Sequence, residues 1–494
     1  MALTVLINDS NFNISTGQNI AYVTTDTTGA GVYKFRFLME LTYKIQGITT
    51  PVTKEISFTQ QQNQDGQAVF NLSEIYKSIV TPQITPSTDS DAPTTIIASQ
   101  KGNIHTLPNF SDGDCLAFSG GLLENSTGYE AFKGVANVMT LKFYEMYSTT
   151  AAGIPVKDPL GIGAVTKTIF MFWGRGQEDE GVIVDFEPYK LDGDTKKWLN
   201  CNRGFEDSIQ NYYNIDIGKD EYHTLAFLNR CAINTTSEIK DVWVKFYTAN
   251  NVHIADLQMK NTIATGGLQD IAGTGTDERF YLYCGIGIEN MEKLDFTSSD
   301  YYFSGTTFAD GIIDGVTIGK YIVVTRDFTY NYSSHRYRFN VVNYCNQYDQ
   351  SRLAYMNRFG AWDYITLNKE RTDELKVKKE YITKPIINQA TGLETYDAAQ
   401  INTAYPLDVA KQGMMTTSVA PTITTKMFTD YLPEDKIEQI KDLMMSPQIH
   451  LLDGDNAKAL ILETSTMKLK REKNRGLFQY ELKFSFANPK YRTT

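Results

Sequence analysis

Carboxylates are the residues of this sequence whose type and spacing come nearest to chemistry. Gln177-Glu-Asp-Glu-Gly181, followed by Asp185 and Glu187 and then by Asp192-Gly-Asp194, gathers acids in one short stretch. Two such groups can serve as the acid and base of a glycosidase, and clustered oxygens can also bind Ca²⁺. The stretch lacks the alternating Asp/Asn register and the distal glutamate of an EF-hand loop. Asp453-Gly-Asp455-Asn456 lacks them too, and it falls where a tight hairpin turn is expected. The favoured reading of both is a solvated loop, ahead of calcium binding and of catalysis.

Other chemistries find less. The five histidines, His105, His223, His253, His335 and His450, are scattered, with no HExxH helix and no paired spacing suited to zinc. No GxSxG elbow is present, so a serine hydrolase has no support. The glycine pairs Gly29/Gly31, Gly161/Gly163 and Gly285/Gly287 lack the third glycine that would let a backbone cradle a pyrophosphate, and no Gly-Lys-Ser/Thr follows them. Cys115, Cys201, Cys231, Cys284 and Cys345 lie tens of residues apart with no CxxC pair, which reads as reduced thiols in a core. No cofactor, metal or catalytic residue is expected.

Basic residues gather late. Lys468, Lys470, Arg471, Lys473 and Arg475 lead a positive stretch that continues through Lys483, Lys490 and Arg492 against only Glu472 and Glu481. It is read as one wet face of a hairpin that docks on an acidic neighbouring copy, with DNA contact as the less favoured use.

The elements that must position these residues are strands. Tyr33, Phe35, Phe37, Met39, Leu41, Tyr43 and Ile45 alternate with Lys34, Arg36, Glu40, Thr42 and Lys44, giving a long strand with one apolar face. Tyr337, Phe339 and Val341 alternate with Arg336, Arg338 and Asn340, and Phe478, Tyr480, Leu482, Phe484 and Phe486 with polar residues. Runs from Ile169 to Trp173, Val242 to Tyr247, Phe280 to Cys284 and Tyr321 to Thr325 are rich in aromatic and β-branched residues and predict further strands. Helices are few. One is expected from Pro433 to Met445, with the proline at its first position and Ser446-Pro447 as its stop, and a short one from Leu72 to Val80 capped by Asn71.

The fold class is therefore mainly β: several antiparallel β-sandwich domains with a small C-terminal α+β module. The expected division is an N-terminal sandwich at 1–148, a central β-rich region at 149–384, a polar linker or arm at 385–424 and a helix-plus-hairpin module at 425–494. A proline-bearing stretch, 81–99, reads as a long exposed loop. Length and composition agree with a folded protein, since 494 residues with 41% hydrophobic, 12% aromatic and 21% charged side chains can bury several cores. They exclude a disordered, collagen-like or disulfide-dense chain. A net charge of -11 excludes a general nucleic-acid coat and leaves room for local basic patches. No apolar run approaches the length of a membrane helix, and the N-terminus shows no secretory pattern, so synthesis in a cytoplasm is expected and no membrane partner.

Two adjoining pieces carry a resemblance. Arg336-Tyr-Arg-Phe-Asn-Val-Val-Asn-Tyr-Cys345 is a strand ending in cysteine, and Tyr355-Met-Asn-Arg-Phe-Gly-Ala-Trp-Asp-Tyr364 carries an Asn-Arg-Phe-Gly-x-Trp-Asp core. Together they resemble a pattern in virion structural proteins of phages that infect Bacteroidetes, including crAss-like phages. Asn19-Ile-Ala-Tyr-Val with Tyr33-Lys-Phe-Arg-Phe is similar to the opening sandwich of such proteins, and Gly66-Gln-Ala-Val-Phe-Asn-Leu-Ser-Glu-Ile75 to the step that follows it. Thr429-Asp-Tyr-Leu and Met445-Ser-Pro-Gln-Ile-His-Leu451 resemble their closing module.

The resemblance implies a non-enzymatic virion protein, a subunit of a ring in the tail or the head-to-tail connector. Its partners would be further copies of itself in a cyclic homo-oligomer and adjacent tail or portal-associated proteins. In the motif, Gly360 would permit a bulge, Trp362 would be a buried anchor, Asn357 and Asp363 would tie connecting backbone, Phe359 would sit beside the glycine, and Arg358 would project toward a neighbouring subunit. The alternative is a tail protein that binds or cleaves host carbohydrate, with Trp173 or Trp243 stacking on sugar and the Glu178 to Glu187 stretch supplying carboxylates.

Overall fold

Period-two alternation builds a mainly β chain of several sheets with few helices. The computed structural model of the protein describes residues 3–7, 12–14, 20–25, 32–45, 52–63, 65–80, 104–106, 116–118, 124–125, 128–129, 136–161, 163–175, 186–202, 205–207, 212–228, 239–261, 281–297, 301–327, 329–343, 348, 350–383, 414–433, 437–454, 456–466 and 477–487.

The N-terminal part is a sandwich. Leu3–Ile7, Ile20–Thr25 and Gln67–Asn71 form a three-stranded antiparallel sheet. It packs on a six-stranded sheet ordered Phe12–Ile14, Val165–Phe172, Ala136–Ser148, Tyr33–Ile45, Val52–Gln61, with Val156–Lys157 paired to the third. The long strand buries Phe35, Phe37, Met39 and Leu41 against Ala21, Val23, Ala68 and Phe70 of the facing sheet. Tyr33, at its start, stays exposed. The short helix spans Ser73–Ile79 and buries Tyr76 and Ile79 in the same core. Its cap position is Leu72, and Asn71 Oδ1 takes the amide of Ser73 at 3.0 Å.

Three sheets stack beyond it. A seven-stranded sheet runs Phe205–Asp207, Tyr212–Ile217, Arg336–Val341, Lys320–Asp327, Ile239–Tyr247, His253–Lys260, Tyr301–Phe303. Against it lies a three-stranded sheet of Thr224–Leu228, Tyr281–Gly285 and Leu116–Phe118. Leu225, Phe227, Leu282 and Cys284 of this middle sheet enter the core of the seven-stranded sheet, while Ala226, Leu228, Tyr281 and Tyr283 face the other way into a second core. All positions of Thr224–Leu228 and of Tyr281–Gly285 are buried, because a strand covered on both faces has no wet side.

The third layer is a C-terminal seven-stranded sheet ordered Trp362–Leu367, Ser351–Met356, Ile449–Asp453, Asn456–Leu462, Glu481–Phe486, Met414–Phe428, Arg371–Thr383. Ala354, Met356, Trp362 and Tyr364 pack on the middle sheet, and Leu353, Tyr355, Ile365 and Leu367 pack with Ile440 and Leu443 of a helix, Ile437–Met444. Pro433 is not in that helix. It lies in a two-residue strand, Leu432–Pro433, paired with Leu477–Phe478, an edge position where a missing N–H costs nothing.

Hydrogen bonding crosses two of the boundaries read from sequence. Val165–Phe172 belongs to the N-terminal sheet, beyond residue 148, and 351–383 share a sheet with 414–486, across residue 384. Of the expected polar arm, 385–413 lies outside the described residues, and 414–424 is strand rather than linker. The loop 81–99 is also outside them.

Candidate functional site

The Asn-Arg-Phe-Gly-x-Trp-Asp segment is the connection between two antiparallel strands, Ser351–Met356 and Trp362–Leu367, paired from Ser351 with Leu367 to Met356 with Trp362. Gly360 takes a left-handed backbone conformation, φ 76°, which lets the chain reverse in a few residues. Asn357 closes the turn from inside: its Oδ1 accepts the amides of Phe359 at 2.9 Å and Ala361 at 3.1 Å. Its Nδ2 donates to Leu199 O at 3.1 Å and to Asp363 Oδ2 at 2.9 Å.

Asp363 is the centre of the arrangement. Oδ2 also accepts the amides of Cys201 at 3.0 Å and Asn202 at 3.1 Å, and Oδ1 accepts Asn200 Nδ2 at 3.0 Å. Burial pushes its carboxyl up to about 6, against the downward pull of those donors. Asn200 in turn bonds Trp362 O, Thr224 O and the amide of Ala226, joining the loop 199–202 to both the middle and the C-terminal sheets.

The middle sheet grips the turn from the other side. Tyr281 donates to Phe359 O and Tyr283 to Gly360 O, each at 2.9 Å. Burial raises both phenols, so they remain donors at any ordinary pH. The N-terminal part reaches the same turn through Arg175, whose amide donates to Arg358 O at 2.7 Å. Phe170 and Phe172 of the N-terminal sheet share a core with Phe359 and Trp362.

Two clusters flank the turn. His105 Nδ1 lies 2.9 Å from Tyr364 Oη, and Tyr364 Oη also hydrogen-bonds Thr224. The rings of His105 and His450 lie 4.7 Å and 5.2 Å from Trp362. Burial lowers His450 to about 4 and holds His105 well below the usual imidazole range, so both are neutral near pH 7. On the other flank Arg352 pairs with Glu221 at 3.1 Å and donates to Thr366 Oγ1, Tyr222 O and His223 Nδ1. His223 is held neutral by burial and by that guanidinium, which needs an acceptor at Nδ1.

Among the residues singled out from sequence, Asn357, Gly360, Trp362 and Asp363 thus meet at one seam. The ring of Phe359 packs on Tyr189, centroids 4.8 Å apart. Arg358 is half-buried, 4.5 Å over the Phe359 ring, and its charge acts on Asp442. Cys345 and the basic run Lys468, Lys470, Arg471, Lys473 and Arg475 lie outside the described residues, as do Cys115, Cys231, Asp455 and the acids from Glu178 to Asp185. Glu187 is described, and it faces lysines: Lys190 at 2.6 Å and Lys196 at 3.4 Å, with Asp192 also on Lys196. Hydrogen bonding from Lys190 lowers its carboxyl.

The two tryptophans considered for sugar stacking have neighbours on their rings. Lys245 Nζ and Arg326 Cζ lie 3.8 Å and 4.2 Å from the Trp243 ring centroid, and Trp173 packs against two cores. Among the described residues no group of three His, Cys, Asp or Glu side chains is placed to hold a metal ion, and no helix is long and apolar enough to cross a membrane. Asn200, Tyr281, Tyr283, His105 and Arg352 were not legible as site residues, since their partners lie 77 to 259 positions away. No known family model matches the chain, and comparison with curated proteins finds no match.

Proposed function

We propose that the protein is a non-enzymatic structural subunit of a phage virion, a building block of a ring in the tail or the head-to-tail connector that contacts copies of itself and adjacent tail or portal-associated proteins. The observation that carries this reading is the fate of the resembling motif. Its polar groups bond the middle sheet, the loop 199–202 and Arg175 of the N-terminal part, and its carboxylate meets four N–H donors of the same chain. A motif used this way stiffens a wall, because each donor or acceptor deprived of its partner in the dry seam costs about 1–3 kcal/mol. A reacting carboxylate needs a lone pair turned toward substrate.

The test is the protein composition of purified particles. The reading expects the intact chain in stoichiometric, multiple copies that survive the salt washes removing adsorbed proteins. Its absence from particles, or shortening of host capsular polysaccharide by the pure protein, would overturn it.

A further inference from the structure

We infer that the ribbon formed by Arg371–Thr383 and Met414–Phe428 is an assembly arm that docks on a second copy of this chain. The inference rests on the ring-subunit reading and names the contact that would build the ring.

The ribbon begins inside the C-terminal sheet and leaves it. Met414–Phe428 pairs with Glu481–Phe486 only over Thr424–Phe428, whereas its pairing with Arg371–Thr383 runs its whole length. From Leu375 onward the ribbon has two strands and no third among the described residues, and nine residues of strand extend it by roughly 30 Å. Two strands alone are marginal in water, and a long free edge invites another chain.

Its two faces differ. Directly opposed residues of antiparallel strands share a face, so Leu375 with Ile423, Val377 with Pro421, Lys379 with Val419, and Tyr381 line one side. Apart from Lys379 that side is apolar yet in water: Leu375 is 58% exposed, Tyr381 56%, Val377 44% and Val419 41%. The other side carries Lys376, Lys378 and Glu380, with Ile382 at its end.

The occupant is read from charge and area. Beyond Leu375 the ribbon's described charges are Lys376, Lys378 and Lys379 against Glu380, in a chain of net charge -11, so its complement is the acidic body of another copy. A ribbon about 30 Å long with two faces and a free edge offers on the order of 800 Å², the share each partner contributes to a stable interface. Donor and acceptor are different surfaces, the heterologous kind of contact that closes into rings. Residues 384–413, which join the two strands, lie outside the described residues.

The experiment compares the mass distribution in solution of the full-length protein with that of two variants, Leu375→Asp/Val377→Asp/Tyr381→Asp and Lys376→Glu/Lys378→Glu/Lys379→Glu. Thermal unfolding of each confirms that the body is folded. Self-association of the wild type, weakened about 100-fold by the first variant and at least about tenfold by the second, is the expected result. Wild-type oligomers that both variants form unchanged would overturn the arm and leave the ring reading standing. A wild type that is monomeric in solution and scattered singly on particles would remove both.

Discussion

At one edge of the C-terminal sheet, Ser351–Met356 is buried at every position and Trp362–Leu367 at all but one; at the other edge, Arg371–Thr383 is exposed at every position after the first. One sheet thus ends in two hairpins of opposite character. The first is clasped between the middle sheet and the helix Ile437–Met444, and its turn is tied by Asn357, Asp363, Tyr281 and Tyr283. The second has no third strand beyond Leu375 among the described residues. The contrast teaches that polar residues stiffen a fold where they are sealed and satisfied, while apolar residues left in water mark where a fold is unfinished.

The largest effect should come from the sealed edge. Trp362→Ala removes a buried anchor that touches His105 and His450, and equilibrium urea unfolding should show a loss of about 3–5 kcal/mol. Asp363→Ala, which takes an acceptor from Asn200, Asn357 and the amides of Cys201 and Asn202, should cost about 3 kcal/mol. A loss under about 1 kcal/mol for both would break the claim that this seam holds the layers together.

Next in size is pH. His450 titrates at about 4 in the folded chain and near 6.5 when unfolded, so the unfolded chain takes the proton first. The stability it supports is complete above pH 6.5 and is lost as pH falls toward 4. Asp363 and Asp442, raised by burial, act in the opposite sense in the acid range. His450→Gln should therefore make the fall of stability between pH 6 and 4.5 shallower by about 1.4 kcal/mol per unit, read from urea midpoints at several pH values. Parallel curves for the variant and the wild type would contradict this.

Smaller still, Tyr283→Phe leaves Gly360 O without its donor and should cost about 1 kcal/mol in the same assay. The smallest change belongs to the open edge: Leu375→Asp/Val377→Asp/Tyr381→Asp should shift the body's stability by no more than about 0.5 kcal/mol while weakening self-association about 100-fold. A large loss of monomer stability would show that the ribbon is packed on its own chain.

How much of this was legible follows from the same contrast. The strands around Tyr33–Ile45, Arg336–Val341 and Glu481–Phe486 are readable because one face is wet and the other dry. Thr224–Leu228 escapes, since a strand buried on both faces has no alternation to detect, whereas Tyr281–Gly285, equally buried, is readable from its run of aromatic residues. Met414–Phe428 escapes for the reverse reason. Its threonines blur the apolar face, and Pro421 argues against a strand, yet the proline is tolerated where the ribbon has left the sheet. The motif itself was legible as residues, and its meaning was not, because Asn200, Tyr281 and Arg175 reach it from distant parts of the chain.

The measurement that bears most directly on the central proposal is imaging of intact particles in which this protein carries a label. A closed ring of label at one height on the tail axis or at the head-to-tail junction is the predicted result. Label absent from particles, or spread singly over their surface, would contradict it.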